Sequence, residues 1–110
     1  RHIPVKIAMG LMLTGKHVTT EEALRWGIVN EAVPGPQLKL AAERWANEIL
    51  ECSPTSVRAT KEAAMQGLGS SVEAAMGSSF PLTSALFRSE DMMEGVMAFA
   101  QKRKPDWKGR

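Results

Sequence analysis

One stretch of this chain reads as a β-strand, and almost everything around it reads as helix. Ile28-Val29-Asn30-Glu31-Ala32-Val33 is rich in β-branched residues, alternates loosely and is closed by Pro34-Gly35-Pro36. A single strand cannot satisfy its own backbone N–H and C=O groups, so its partner has to come from other sequence or from another chain. The chain also opens at Arg1 rather than Met. The expectation is a piece of a larger α/β protein that is itself mostly α.

The helices announce themselves by their ends. Residues 2–15 form one, started by Pro4 and stopped by Gly15, with Ile7, Ala8, Leu11 and Met12 sharing a face. Gly10 inside it costs about 1 kcal/mol relative to Ala, which points to close packing there. Residues 19–27 form a short helix with a Thr cap, Glu21 and Glu22 in the first turn, and Gly27 as the left-handed residue beyond its end. From Gln37 to Cys52, Leu38, Ala41, Ala42, Trp45 and Ile49 fall on one face, with Lys39–Glu43 and Arg44–Glu48 paired outside. Ser53-Pro54 starts the next helix, to about Leu68, with Val57, Ala64 and Leu68 in register and the stem of Lys61 lying along the stripe. Ser70 or Ser71 then caps a longer helix, with Val72, Ala75, Met76, Phe80 and Phe87 inward and a kink at Pro81.

The last helix is unusual. Ser89 caps it, Glu90 and Asp91 place charge where the helix dipole favours it, and Lys102, Arg103 and Lys104 fill the last turn before Pro105. Met92, Val96 and Phe99 form one apolar row and Met93, Met97 and Ala100 another, so this helix needs two things to pack against. Charge is uneven as well. The chain is +2 overall, while residues 102–110 hold five bases and one acid. A basic cluster beside an aromatic suits an anionic ligand with a flat ring, such as a nucleotide phosphate with its base. Dipole pairing and a solvated tail account for the same residues.

Other classes are disfavoured. A net charge of +2 without interleaved aromatics argues against nucleic acid, and no run of 18 apolar residues offers a membrane span. One cysteine, Cys52, fits a reducing, cytoplasmic setting and is expected to pack as a small hydrophobe near a helix end. His2 and His17 are isolated, with no metal-ligand spacing, and read as surface or loop residues. No pair of carboxylates sits in an apolar setting suited to acid–base work, and the glutamates read as capping and solvation. No catalytic residue is assigned.

Leu13-Thr14-Gly15 followed by Thr19 through Pro34, then Ser53-Pro54, Lys61-Glu62 and the closing Glu94-Gly95, Ala98-Phe99, Lys102-Arg103-Lys104-Pro105 and Trp107, resembles the crotonase superfamily, the enoyl-CoA hydratase/isomerase enzymes, in the same order. The resemblance covers essentially all 110 residues. It implies the C-terminal portion of a crotonase-type α/β fold: residues 1–35 as the end of the core, and 36–110 as a helical oligomerisation and coenzyme A-contacting region. It implies that Phe99 and Lys102 match residues contacting the adenine and phosphates of coenzyme A. It also implies that the oxyanion hole and the catalytic carboxylates lie in sequence before this chain. A CoA thioester is then substrate rather than cofactor. The parent would be a homotrimer or homohexamer in fatty acid metabolism, most simply a 2-enoyl-CoA hydratase. The competing readings are another acyl-CoA reaction (isomerase, dehydratase or hydrolase) and a non-enzymatic helical self-association module.

Overall fold

The computed structural model describes residues 3–110, so the reading of His2 lies outside the described residues. Among those residues there are seven α-helices and a short 3₁₀ turn, Gly35–Gln37. Arg1–Ala42 and Glu43–Arg110 form two compact units, the boundary falling inside the helix Leu38–Leu50 (α3).

In the first unit, α1 (Val5–Thr14) follows Pro4 and ends at Gly15. Helix α2 (Thr20–Arg25) has a reciprocal capping box. Thr19 Oγ1 accepts the Glu22 N–H at 3.2 Å, and Glu22 Oε2 accepts the Thr19 N–H at 3.1 Å. Past its end Gly27 takes φ 72°, its N–H donates to Leu24 O, and the Ile28 N–H reaches back to Ala23 O. That is a Schellman ending, with glycine where the left-handed residue is required.

Two expectations fail in this unit. Residues 28–33 form no strand: 28–30 are a bend, and there is no strand among the described residues. β-Branched composition sets only a local preference, and a strand exists when a ladder partner lies beside it. A Cβ added at Gly10 meets nothing within 4 Å, so close packing does not account for that glycine here.

In the second unit, α4 (Pro54–Gly67) is capped by Ser53, whose Oγ accepts the Ser56 N–H at 3.2 Å. It packs against α5 (Val72–Gly77) and α6 (Pro81–Leu86). The packed face is only partly the expected one. Val57 is half-buried as expected and Lys61 is exposed, in keeping with a snorkelling side chain, but Ala64 and Leu68 are exposed, while Ala59 is buried and Thr55, Ser56, Glu62 and Ala63 are half-buried. The sequence pattern weighted large apolar side chains, whereas beside Val57 this helix covers mostly small and polar ones. Glu62 earns its place at long range: its Oε2 accepts the Leu82 N–H at 2.8 Å, capping the start of α6.

The kinked helix expected over 72–87 is two separate helices. Ser71 caps α5, accepting the Ala74 N–H at 3.2 Å, and the chain leaves helical geometry at Ser78. Phe80 is extended at φ −100°, ψ 128°, as the residue before a proline prefers, and Pro81 opens α6 at the first helical position. Cys52 is exposed rather than packed away, with Sγ 3.6 Å from Glu48 O. No described helix is long and apolar enough to cross a membrane.

Candidate functional site at the end of α7

The last helix, α7, spans Glu90–Ala100 and is capped by Ser89, whose Oγ accepts the Met92 N–H at 3.1 Å. The basic residues expected in its last turn lie beyond it. The Lys102 N–H donates to Phe99 O at 3.2 Å and the Arg103 N–H to Ala98 O at 3.1 Å, again a Schellman ending. Here the left-handed position is held by Lys102, at φ 52°, the only non-glycine residue with positive φ among those described. A side chain in that conformation costs about 1–2 kcal/mol relative to glycine. Gly27 does the same job at the end of α2 without that cost.

What holds the turn is the tail folded back along α7. The Arg103 guanidinium donates to Glu94 in a fork, Nη1 to Oε1 at 2.5 Å and Nη2 to Oε2 at 2.9 Å. The same guanidinium reaches Gln101 Oε1 through Nε and Lys104 O through Nη1. Glu94 Oε1 also accepts the Asp106 N–H at 2.7 Å. The Arg103 hydrogen bonds, then the Asp106 N–H, hold the Glu94 carboxyl down to about 2 against the opposing effect of burial. The same contact raises Arg103.

Deeper in the unit sits a group read from sequence only as a favourable first-turn charge. Asp91 is 1 % exposed. Its Oδ1 accepts the N–H groups of Lys108 and Gly109 at 2.8 and 3.0 Å. Its Oδ2 accepts Ser53 Oγ at 2.9 Å and Thr55 Oγ1 at 3.2 Å. Burial alone raises its pKa, but the bonds from Lys108, Ser53, Gly109 and Thr55 outweigh that and leave it below the ordinary value. One carboxylate therefore joins the start of α4, the start of α7 and the tail. Arg58 adds a second tie, Nη2 to Gly109 O at 2.9 Å. Asp91 is not placed to act as a general base, because it is buried and its lone pairs are occupied by two main-chain N–H groups and two hydroxyls.

Trp107, read as part of the basic-aromatic end, is wedged against the middle of α7. Its Nε1–H donates to Glu51 O at 2.9 Å, and a Cβ on Gly95 would lie 3.3 Å from its ring. The free aromatic of this end is Phe99, 89 % exposed. Three of the five tail cations are paired: Arg103 with Glu94, Lys108 with Asp106 and Arg110 with Glu90. Lys102 and Lys104 are exposed and make no ion pair among the described residues. The two apolar rows of α7 are open, with Met92, Met93, Val96 and Met97 all exposed. One row borders an apolar groove of about 620 Å³ that Leu86, Cys52 and Trp107 also line. Among the described residues no three His, Cys, Asp or Glu side chains are grouped to hold a metal ion.

Known proteins are similar to this chain in sequence and in fold. A carnitinyl-CoA dehydratase of Salmonella arizonae is 38% identical over 97% of this chain, which spans 42% of that relative's length. An (E)-benzylidenesuccinyl-CoA hydratase of Thauera aromatica is 38% identical over 99% of the chain and 43% of its own length. The crystal structure of an enoyl-CoA hydratase of Mycobacterium marinum superposes with a TM-score of 0.91 at 35% identity, covering 99% of this chain and 43% of that one. The chain thus spans less than half the length of the relatives it matches, and the family model for enoyl-CoA hydratase/isomerase matches it from residue 1 to residue 110: the chain belongs to the enoyl-CoA hydratase/isomerase family.

Proposed function

We propose that this chain is the C-terminal helical part of an acyl-CoA enzyme of the hydratase type, and that it supplies coenzyme A contacts and subunit contacts rather than the reacting groups. Residues 36–110 form the binding and oligomerisation region, and 1–35 close the catalytic core. In the parent reaction water adds across a 2-enoyl-CoA double bond while donors outside this chain stabilise the thioester oxyanion. The fold leaves the reaction type open within the family, and matching relatives are named dehydratases as well as hydratases.

The observation that carries the reading is the pairing at the end of α7. An almost fully exposed phenyl ring, Phe99, and an uncompensated cation, Lys102, are tied through one backbone hydrogen bond. Phe99 offers a face to the adenine, and Lys102 a point charge to the phosphates. Coenzyme A binding is measured by calorimetry on the full-length protein carrying this chain. Lys102→Ala weakens it about tenfold, the scale of one charge-assisted hydrogen bond, and Phe99→Ala weakens it further. Unchanged affinity in both variants removes the ligand role.

The open apolar rows of α7 favour a second reading, a helical module whose work is self-association. Sedimentation separates the two. The first reading needs coenzyme A affinity in a closed trimer or hexamer, whereas the second needs only concentration-dependent association with no affinity for the ligand.

A further inference from the structure

Lys102 stands in a strained conformation, and the groups that hold it there can be named. The Arg103 guanidinium bonds to residues on either side of Lys102, through Gln101 Oε1 before it and Lys104 O two residues after it, and is anchored on Glu94 in the middle of α7. Glu94 in turn takes the Asp106 N–H, which fixes the far end of the turn. Lys102 is thereby bracketed, with φ 52° and its Cα–Cβ direction set. An ordinary helix end would place glycine here and need no bracket, as Gly27 does after α2.

We propose that the Glu94–Arg103 pair is a clasp that holds Lys102 left-handed and so aims its ammonium at an anionic group of the ligand. Glu94 and Arg103 are positioning residues: Arg103 is a cation of the basic tail, but its fork is spent on Glu94 and is not offered to phosphate. The direct contact belongs to Lys102. This rests on the reading that the end of α7 meets the phosphates of coenzyme A, and it assigns the tail's cations different jobs.

The test uses the full-length protein with coenzyme A as the probe. Glu94→Gln keeps an acceptor for the Asp106 N–H but loses the ion pair. Arg103→Lys keeps the charge but loses the fork. Each is expected to weaken coenzyme A binding three- to tenfold, and to add nothing once Lys102 is already alanine, because both act through Lys102. In each single variant the Lys102 backbone chemical shifts move away from left-handed values, a readout independent of ligand. If Lys102→Ala weakens binding while Glu94→Gln and Arg103→Lys stay within twofold of the parent, the clasp is wrong and the coenzyme A reading stands. If their effects persist undiminished in the Lys102→Ala background, they are structural only and the clasp is again wrong. If Lys102→Ala itself changes nothing, the coenzyme A reading fails and takes the clasp's role with it. Should Glu94→Gln fail to fold, as judged by circular dichroism, Arg103→Lys carries the same comparison.

Discussion

Asp91→Asn tests whether one buried carboxylate organises the second unit. The change keeps shape and removes charge. The carboxylate accepts from four donors, two main-chain N–H groups that cannot reverse and two hydroxyls that can. The asparagine amide therefore has one tolerable orientation: oxygen toward Lys108 and Gly109, NH₂ toward Ser53 and Thr55. Ser53 Oγ already accepts the Ser56 N–H, so it is a poor second acceptor. What is lost is charge assistance at four contacts, roughly 1 kcal/mol each, offset in part because a neutral amide is easier to bury. The net cost is about 2 kcal/mol. Asp91→Ala is worse, about 4 kcal/mol, because two part-buried N–H groups lose their acceptor at about 1–3 kcal/mol each while the hydroxyls can still bond one another at 2.7 Å. Amide hydrogen exchange at Lys108 and Gly109 reads both values directly. Exchange should quicken about 30-fold in the asparagine variant and about 1,000-fold in the alanine variant. Exchange in Asp91→Asn within threefold of the parent, or faster than in Asp91→Ala, refutes the account.

Acid should release the tail. Asp91 and Glu94 both titrate below their ordinary values when folded, so their contributions are complete above the unfolded pKa and disappear as pH falls through the folded one. For Glu94 that window runs from 4.5 down to about 2, and the Asp106 amide should lose exchange protection across it, with Glu94→Gln abolishing that dependence. Lys102→Gly should raise stability by about 0.5–1 kcal/mol, the relief of a left-handed side chain less the greater freedom of glycine when unfolded, while coenzyme A binding falls; a loss of stability on denaturant titration counts against strain at this residue. Gly95→Val should displace Trp107 and break its bond to Glu51 O, seen as loss of protection at the indole N–H. Gly95→Ala should lie within about 1 kcal/mol of the parent, helix propensity gained against a 3.3 Å contact with the ring.

Local chemistry made much of both units legible in the sequence, and distant chemistry hid the rest. Ser53-Pro54, Thr19 with Glu22, and Ser89 could be read as helix starts because a cap and the N–H groups it serves lie within three residues. Pro81 was visible too, yet whether it kinks a helix or divides two depends on Phe80 going extended and on Glu62, twenty residues away, capping the new start. Asp91 shows the limit most clearly. In sequence it is a first-turn acid like Glu90, and the two differ only because the tail returns seventeen residues later to lay its N–H groups on one of them. The same return explains Gly95, a glycine in mid-helix with no turn to make, whose missing side chain is the space that Trp107 occupies. It also divides the basic cluster. Five like charges in sequence become three that are paired with carboxylates and two that make no ion pair among the described residues. The resemblance implies ligand roles for Phe99 and Lys102, but it gives no sign that Lys102 is left-handed, because φ is set by the fold of the tail and not by the residue's identity.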